Sequence, residues 1–130
     1  MTALMGATPI AVIGCAPSEA VMGVVAWHVM AMYAPSLVLV VLPRMARPIP
    51  LSAAGCLLLV TGAMSFALSA AALSLTASAA LIGAGWSLVM LGTTLWIHRS
   101  GRISRWLLGL HDTALLCGAI LGALSAGALA

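Results

Sequence analysis

The sequence predicts an all-helical integral membrane protein with five transmembrane helices, of which the first is short. Of its 130 residues, 64% are hydrophobic and 5% are charged, whereas an ordinary soluble domain carries about 25% charged residues. Five arginines, two acids and no lysine cannot cover a water-soluble surface. With one Phe and one Tyr, the chain also lacks the aromatic girdles of a transmembrane β-barrel. Helices are therefore the expected spanning element, because they satisfy the backbone polar groups within lipid.

Turn-forming and charged stretches divide the chain into five apolar runs, which we expect to form a single transmembrane domain over residues 1–130. The breaks between the runs fall at 16–19, 43–50, 74–78 and 98–105. Runs two to five approach or exceed the ~20 residues that a helix needs to cross the hydrocarbon core. The predicted helices are about 1–15, 20–42, 51–73, 79–97 and 106–129.

The first run, residues 1–15, is too short to cross the membrane by itself. Fifteen helical residues cover ~22 Å of a hydrocarbon core that is about 30 Å thick. The charged amine of Met1 would then lie within the bilayer, which is costly unless water or a partner reaches it. We therefore expect either local thinning of the bilayer or a second polypeptide that supplies the missing part of the span. The chain resembles a piece of a longer one.

The arginines predict the orientation of the chain in the membrane. They lie in only two of the four breaks, which makes them a topological signal rather than a nucleic-acid-binding patch. Five spans place both basic breaks on one side, which the positive-inside rule assigns to the cytoplasm. The prediction is a bacterial-type inner-membrane protein with a cytoplasmic N-terminus and a periplasmic C-terminus. The five residues are Arg44, Arg47, Arg99, Arg102 and Arg105.

Two short motifs on the first two runs suggest a metal site. Met1 and Met5, like His28 and Met32, are four residues apart and share a helix face. Thioether and imidazole groups are soft ligands that suit Cu(I). Measured from the outer surface, the first pair lies ~14–20 Å deep and the second ~12–18 Å deep. The sequence therefore predicts a Cu(I) site near the middle of the membrane.

Ordinary packing is the alternative interpretation of both motifs. Methionine commonly fills gaps in apolar cores, and eight methionines are present. His28 could form a hydrogen bond to a neighbouring helix, although a polar residue within a span is a functional candidate by default. We also expect Cys56 and Cys117 to be buried packing residues. Asp112 is expected to have a structural role near a helix start, facing the helix dipole or pairing with an arginine such as Arg105.

The sequence resembles part of a known transporter family. Residues 1–15 and 26–36 are similar to the seventh and eighth helices of a branch of the major facilitator superfamily that includes the CcoA-like copper importers. Gly83–Trp86 and Gly109–Asp112 resemble the Gly-x-Gly-Trp and Gly-Leu-Asn-Asp segments of that family's tenth and eleventh helices. The resemblance covers nearly the whole chain and implies the fold of helices 7–11 of such a transporter.

The resemblance also implies a ligand set and a function. These importers serve the assembly of cbb3-type cytochrome oxidase and carry MxxxM and HxxxM motifs implicated in copper handling. A cysteine in the family's outer loop matches Cys15, which the resemblance makes an outer relay for the metal. The implied Cu(I) residues are Met1, Met5, His28, Met32 and Cys15.

Two departures from the family suggest dependence on a partner. The amino-terminal half of the transporter is missing, and residues 43–50 lack the glycines of the family's basic loop. Alternating access requires two halves that rock about a midplane site. We therefore expect a truncated copper-transporter-like component that acts in the lipid bilayer with other membrane polypeptides.

A second function remains open, and enzymatic activity is not expected. The alternative to copper handling is a structural or accessory transmembrane subunit of a larger complex, with no transport activity of its own. A small-residue stripe at Gly118, Gly122 and Ala126 indicates close contact between helices. No lysine, paired carboxylates or phosphate-binding loop is present to support an enzyme.

Overall fold

The computed structural model describes residues 18–68, 72–101 and 104–129, and over these ranges the chain is all-helical. No strand occurs in this part of the protein. The predicted first helix, with Met1, Met5 and Cys15, lies outside the described residues. The helices are α1 (Ser18–Val41), a 3-10 turn (Pro43–Met45), α2 (Pro48–Leu68), α3 (Ala72–Arg99) and α4 (Arg105–Leu129).

Three of these helices are long and apolar enough to cross a membrane. The candidate spans are Met22–Val41, Pro48–Phe66 and Leu73–Arg99, with 20, 19 and 27 residues. At 1.5 Å per residue, even the shortest covers about 28 Å, close to the ~30 Å of a hydrocarbon core. These spans support a multi-pass membrane protein. Five spans are not supported, because the described residues hold four helices and α4 is not among the candidates.

The helices begin earlier than the sequence suggests at two places. Residues 74–78, predicted to be a break, lie within α3 because the Ser78 hydroxyl donates to the carbonyl oxygen of Ser74 over 2.7 Å. A hydroxyl bonded within its own helix leaves the backbone ladder intact. Pro48 and Pro50, predicted to lie in a loop, occupy the first turn of α2. Proline is tolerated there because the first amides of a helix have no intrahelical acceptor.

Helices α2 and α3 pack closely as antiparallel neighbours along a row of glycines. A Cβ atom on Gly55 would lie 2.7 Å from the Gly85 carbonyl oxygen, and one on Gly85 would lie 2.8 Å from that of Gly55. Further along the same contact, a Cβ on Gly92 would lie 2.8 Å from the carbonyl oxygen of Pro48. The backbones therefore touch where side chains are missing, which is the usual way for helices to associate closely in a membrane.

Helix α3 is the centre of the assembly. It packs against α2 on one side and against α1 on another, whereas α4 makes no extensive contact with the other described helices. Large apolar side chains on the outer surfaces, such as Leu37, Leu57 and Leu73, are exposed. This arrangement suits a bilayer, in which outward-facing apolar side chains contact lipid.

The two basic segments lie at the same end of the helices. Nη2 of Arg99, at the end of α3, donates a hydrogen bond to the carbonyl oxygen of Ala46 over 2.9 Å. Ala46 lies in the link between α1 and α2, beside the exposed Arg44 and Arg47. The prediction that both segments share one side is therefore confirmed for the described arginines.

Candidate functional site

His28 is a buried histidine in the middle of a membrane-spanning helix. It lies on α1 within the span Met22–Val41 and is only 3% exposed. Its neighbours Trp27 and Val29 on the same helix are exposed, so the imidazole occupies the face that α1 turns toward α3. An ionisable side chain buried at membrane depth is costly, which makes His28 a candidate for a functional role.

One hydrogen bond fixes the ring of His28. Its Nδ1 atom lies 2.7 Å from the carbonyl oxygen of Ala79 on α3. Because a carbonyl oxygen only accepts, Nδ1 carries the proton. Among the described residues the buried Nε2 atom has no hydrogen-bond partner, and it carries a lone pair in the tautomer that has its proton on Nδ1. The described part of the chain therefore leaves the second ring nitrogen of His28 without a partner.

Gly83 on α3 allows this close approach of the two helices. A Cβ atom at Gly83 would lie 2.6 Å from the His28 carbonyl oxygen and 3.2 Å from His28 Nδ1. Any larger residue would separate α1 from α3 and stretch the bond between His28 and Ala79. A glycine one turn beyond Ala79 is thus a requirement for the position of His28.

Met32 lies beside His28 on the same interface. It is half-buried, and its Cγ atom lies 3.3 Å from the position that a Cβ on Gly83 would take. The predicted shared face of His28 and Met32 is therefore present, and it faces α3. Pro35 follows within α1. Because Pro35 has no amide, it leaves the Ala31 carbonyl without its usual donor in the turn that contains Met32.

The chemistry of these donors fits a soft metal ion. A metal-bound histidine commonly donates its second ring N–H to a backbone carbonyl, which fixes the tautomer and orients the free nitrogen. His28 has this arrangement with Ala79, and a thioether follows one turn later. No group of three His, Cys, Asp or Glu side chains suited to a metal ion occurs within the described ranges. The described part of the protein therefore places an imidazole and a thioether on the same face of α1, toward α3.

The prediction that Cys56 and Cys117 are buried packing residues is wrong. Cys56 and Cys117 are exposed rather than buried, because they lie on outward faces of α2 and α4, where a lipid environment accepts a thiol as readily as a core does. Oδ1 of Asp112 lies 3.2 Å from Nδ1 of His111, and Arg105 is not its partner among the described side chains. Its position seven residues after Arg105, within α4, is beyond the first turn in which a helix dipole acts strongly.

A polar contact between α3 and α4 was not predicted from the sequence. Nε2 of His111 lies 3.0 Å from Oγ1 of Thr93, and Nδ1 of His111 lies 3.2 Å from Oδ1 of Asp112. Thr93 also donates to the carbonyl oxygen of Val89 over 2.8 Å. The signal in the sequence was a histidine followed by an acid within an apolar run, but nothing in the spacing identified Thr93 as the partner on another helix.

Comparison of the chain with protein-family models, with curated proteins and with solved structures finds no match.

Proposed function

We propose that this chain is a membrane protein that handles Cu(I) at His28 and Met32 and acts with a partner polypeptide. The observation that carries the proposal is the buried Nε2 atom of His28, for which the described residues supply no hydrogen-bond partner. A buried polar atom without a partner costs about 1–3 kcal/mol. A bound metal ion would remove that cost, and a thioether one turn away suits Cu(I).

The remaining ligands belong to the proposal. Met1 and Met5 would complete the coordination, with Cys15 as an outer relay, as the resemblance to CcoA-like importers implies. These three residues lie outside the described ranges. The contribution of the described residues is the rigid half of the site, because the Ala79 carbonyl and Gly83 hold the imidazole in one orientation.

The partner is supported by the sparse packing of α4. Gly118, which begins the small-residue stripe, would meet nothing within 4 Å if it carried a Cβ atom. A stripe suited to close helix contact is therefore free of neighbours at this position. We propose that a second membrane polypeptide occupies it, with no transport by this chain alone.

A structural subunit is the second candidate, and one observation favours it. The bond from His28 Nδ1 to the Ala79 carbonyl joins α1 to α3, so His28 would contribute to packing even without a metal. In that case copper binding would be absent and loss of His28 would act through stability alone.

Competition for Cu(I) against a chromophoric chelator, under anaerobic conditions, separates the two functions. The detergent-purified full chain is expected to bind Cu(I), and His28→Ala and Met32→Leu are expected to weaken it. The loss should exceed the about 10–100-fold that removal of an outer-shell partner costs, because these residues are direct ligands. Equal affinity in the wild type and both variants would contradict the copper function.

Matched controls come from the same chain. Met30→Leu makes the same chemical change on α1 at an exposed position, and His98→Ala removes an exposed histidine that bonds within its own helix. Both are expected to bind Cu(I) as the wild type does. If Met30→Leu weakens binding as much as Met32→Leu, the thioether at position 32 is not a specific ligand.

The orientation is also a proposal: the basic end faces the cytoplasm of a bacterial-type cell. It is supported by exposed arginines from two segments at one end of the helices and by the positive-inside rule. Reporter fusions within residues 99–105 are expected to report the cytoplasm, and fusions after Ala130 the periplasm. A cytoplasmic signal from the fusion after Ala130 would contradict five spans with this orientation.

A further inference from the structure

A groove on α4 joins a cationic end to an apolar surface. It has a volume of about 390 Å³ and is lined by Arg105, Trp106, Gly109, Leu110 and Thr113. From Arg105 to Thr113 it extends about 12 Å along the helix, which is most of one leaflet's hydrocarbon depth of about 15 Å. The groove therefore begins at the basic end of the protein and continues along α4 toward the other end of the helix.

The groove lies on the side of α4 that faces away from the other helices. His111, which contacts Thr93 of α3, is two residues after Gly109, so the two point about 200° apart around the helix axis. A Cβ atom on Gly109 would meet nothing within 4 Å, and Leu110 is exposed. The groove is thus open to the surroundings of the protein.

Arg105 gives the mouth of the groove a positive charge, and no described carboxylate forms an ion pair with it. The carboxylate among the described side chains, that of Asp112, is bonded to His111, and the first turn of α4 holds no acid. The positive end of the helix dipole lies at the same place. Arg44, Arg47 and Arg99 are exposed at this end too, so an anion is favoured here.

The rest of the groove suits a hydrocarbon chain. Thr113 donates its hydroxyl hydrogen to the carbonyl oxygen of Gly109 over 2.7 Å, so this hydroxyl does not need an acceptor on the ligand. Trp106 is 89% exposed, and an indole at this level is typical of the interface between headgroups and acyl chains. The lining therefore combines one cationic group, one interfacial aromatic ring and an apolar floor.

We propose that this groove binds one anionic phospholipid, with its phosphate at Arg105 and the first part of an acyl chain along Gly109. The charge at the mouth selects an anionic headgroup over a zwitterionic one. The open floor at Gly109 accommodates the chain, because any side chain there would fill the groove. The site is independent of copper, since it lies on a different helix from His28.

Native mass spectrometry of the detergent-purified chain tests this proposal with phosphatidylglycerol and phosphatidylcholine as probes. The wild type is expected to retain one phosphatidylglycerol with about fivefold preference over phosphatidylcholine, the effect of one arginine near the lipid surface. Arg105→Gln should remove the preference, and Gly109→Leu should abolish retention of the bound lipid. Inorganic phosphate should not displace the lipid; displacement would overturn the lipid site in favour of a phosphate site.

Two matched variants make the test specific. Arg44→Gln changes the same charge at the same end outside the groove, and Gly23→Leu adds the same side chain to α1 at a position without close neighbours. Both should retain phosphatidylglycerol as the wild type does. Retention by Gly109→Leu, or a loss in Arg44→Gln equal to that in Arg105→Gln, would overturn the proposal.

Discussion

Helix α4 and the three helices before it are held by different kinds of contact. Helices α2 and α3 meet backbone to backbone at Gly55 and Gly85, and α1 joins α3 through Gly83 and the buried His28. Helix α4 has no such glycine contact among its described glycines, since Cβ atoms on Gly109 and Gly118 would meet nothing within 4 Å. Its link to α3 is a polar bond between His111 and Thr93.

This difference matches the places of the proposed sites in the molecule. Close glycine contacts leave no room for a larger side chain between the helices, and the proposed metal site lies beside such a contact. A single polar bond leaves the outer surfaces of α4 free, and the proposed lipid groove and partner stripe lie there. In a membrane, where apolar burial contributes little between helices, these contacts determine the arrangement.

Among the substitutions that test this difference between α4 and the other helices, Gly85→Ala is expected to cause the largest loss of stability. The added methyl group would lie 2.8 Å from the Gly55 carbonyl oxygen and 2.9 Å from the Leu59 amide nitrogen, so the backbones must separate. We expect a loss of about 1–3 kcal/mol, as for other overpacked positions, measured as a lower midpoint of thermal unfolding in detergent. Gly118→Ala is the control and should leave the midpoint unchanged; an equal loss there would show that α4 is packed as closely as α3.

Thr93→Val tests the polar link. Valine keeps the shape of threonine but removes the acceptor for His111, and we expect about 0.5–1.5 kcal/mol, the usual net contribution of one hydrogen bond. The structural change should be confined to the position of α4 relative to the other helices. The exposed thiols of Cys56 and Cys117 allow spin labelling in a Cys15→Ser background, and the distance distribution between them should broaden.

Thr61→Val provides the matched control for this link. The Thr61 hydroxyl donates to the Leu57 carbonyl oxygen within its own helix, so its loss should not move α4. A distance distribution that is unchanged by Thr93→Val would mean that other contacts hold α4 in place.

His28→Leu is expected to have the smallest effect on stability. It removes the bond to Ala79, but it also removes the buried Nε2 atom that lacks a partner. Loss of the hydrogen bond should cost about 0.5–1.5 kcal/mol, and removal of the unpaired polar atom should recover about 1–3 kcal/mol. The unfolding midpoint should therefore stay the same or rise. A large loss of stability would favour the structural subunit over the copper-handling protein.

The sequence was sufficient for the coarse fold and for one face of the site. Run lengths predicted the four described helices, with ends that differ by up to seven residues, the largest difference being at the start of α3. The spacing of His28 and Met32 placed them on one face. Residues 74–78 were misassigned because a serine that bonds within its helix has the same composition signal as a loop. The contact between Gly55 and Gly85 was not predicted. On each helix a further glycine follows seven residues later, at Gly62 and Gly92, but this spacing does not indicate which helix the glycines contact.

The hydrogen-bond partners of the polar side chains could not be predicted from the sequence either. Ala79 offers only its backbone carbonyl to His28, and every residue has such a group, so no side-chain pattern could identify it. Thr93 and His111 lie on different helices, and their pairing depends on how α4 rests on α3. Lipid exposure of Cys56 and Cys117 likewise depends on the rotation of each helix, which apolar runs without a polar face do not specify.

X-ray absorption at the copper K-edge of the Cu(I)-loaded full chain tests the central claim most directly. We predict scattering from one imidazole nitrogen together with sulfur, with the imidazole contribution lost in His28→Leu and the sulfur contribution reduced in Met32→Leu but not in Met30→Leu. A spectrum that is the same in the wild type and in His28→Leu, or failure of the wild type to retain copper, would contradict a Cu(I) site at His28.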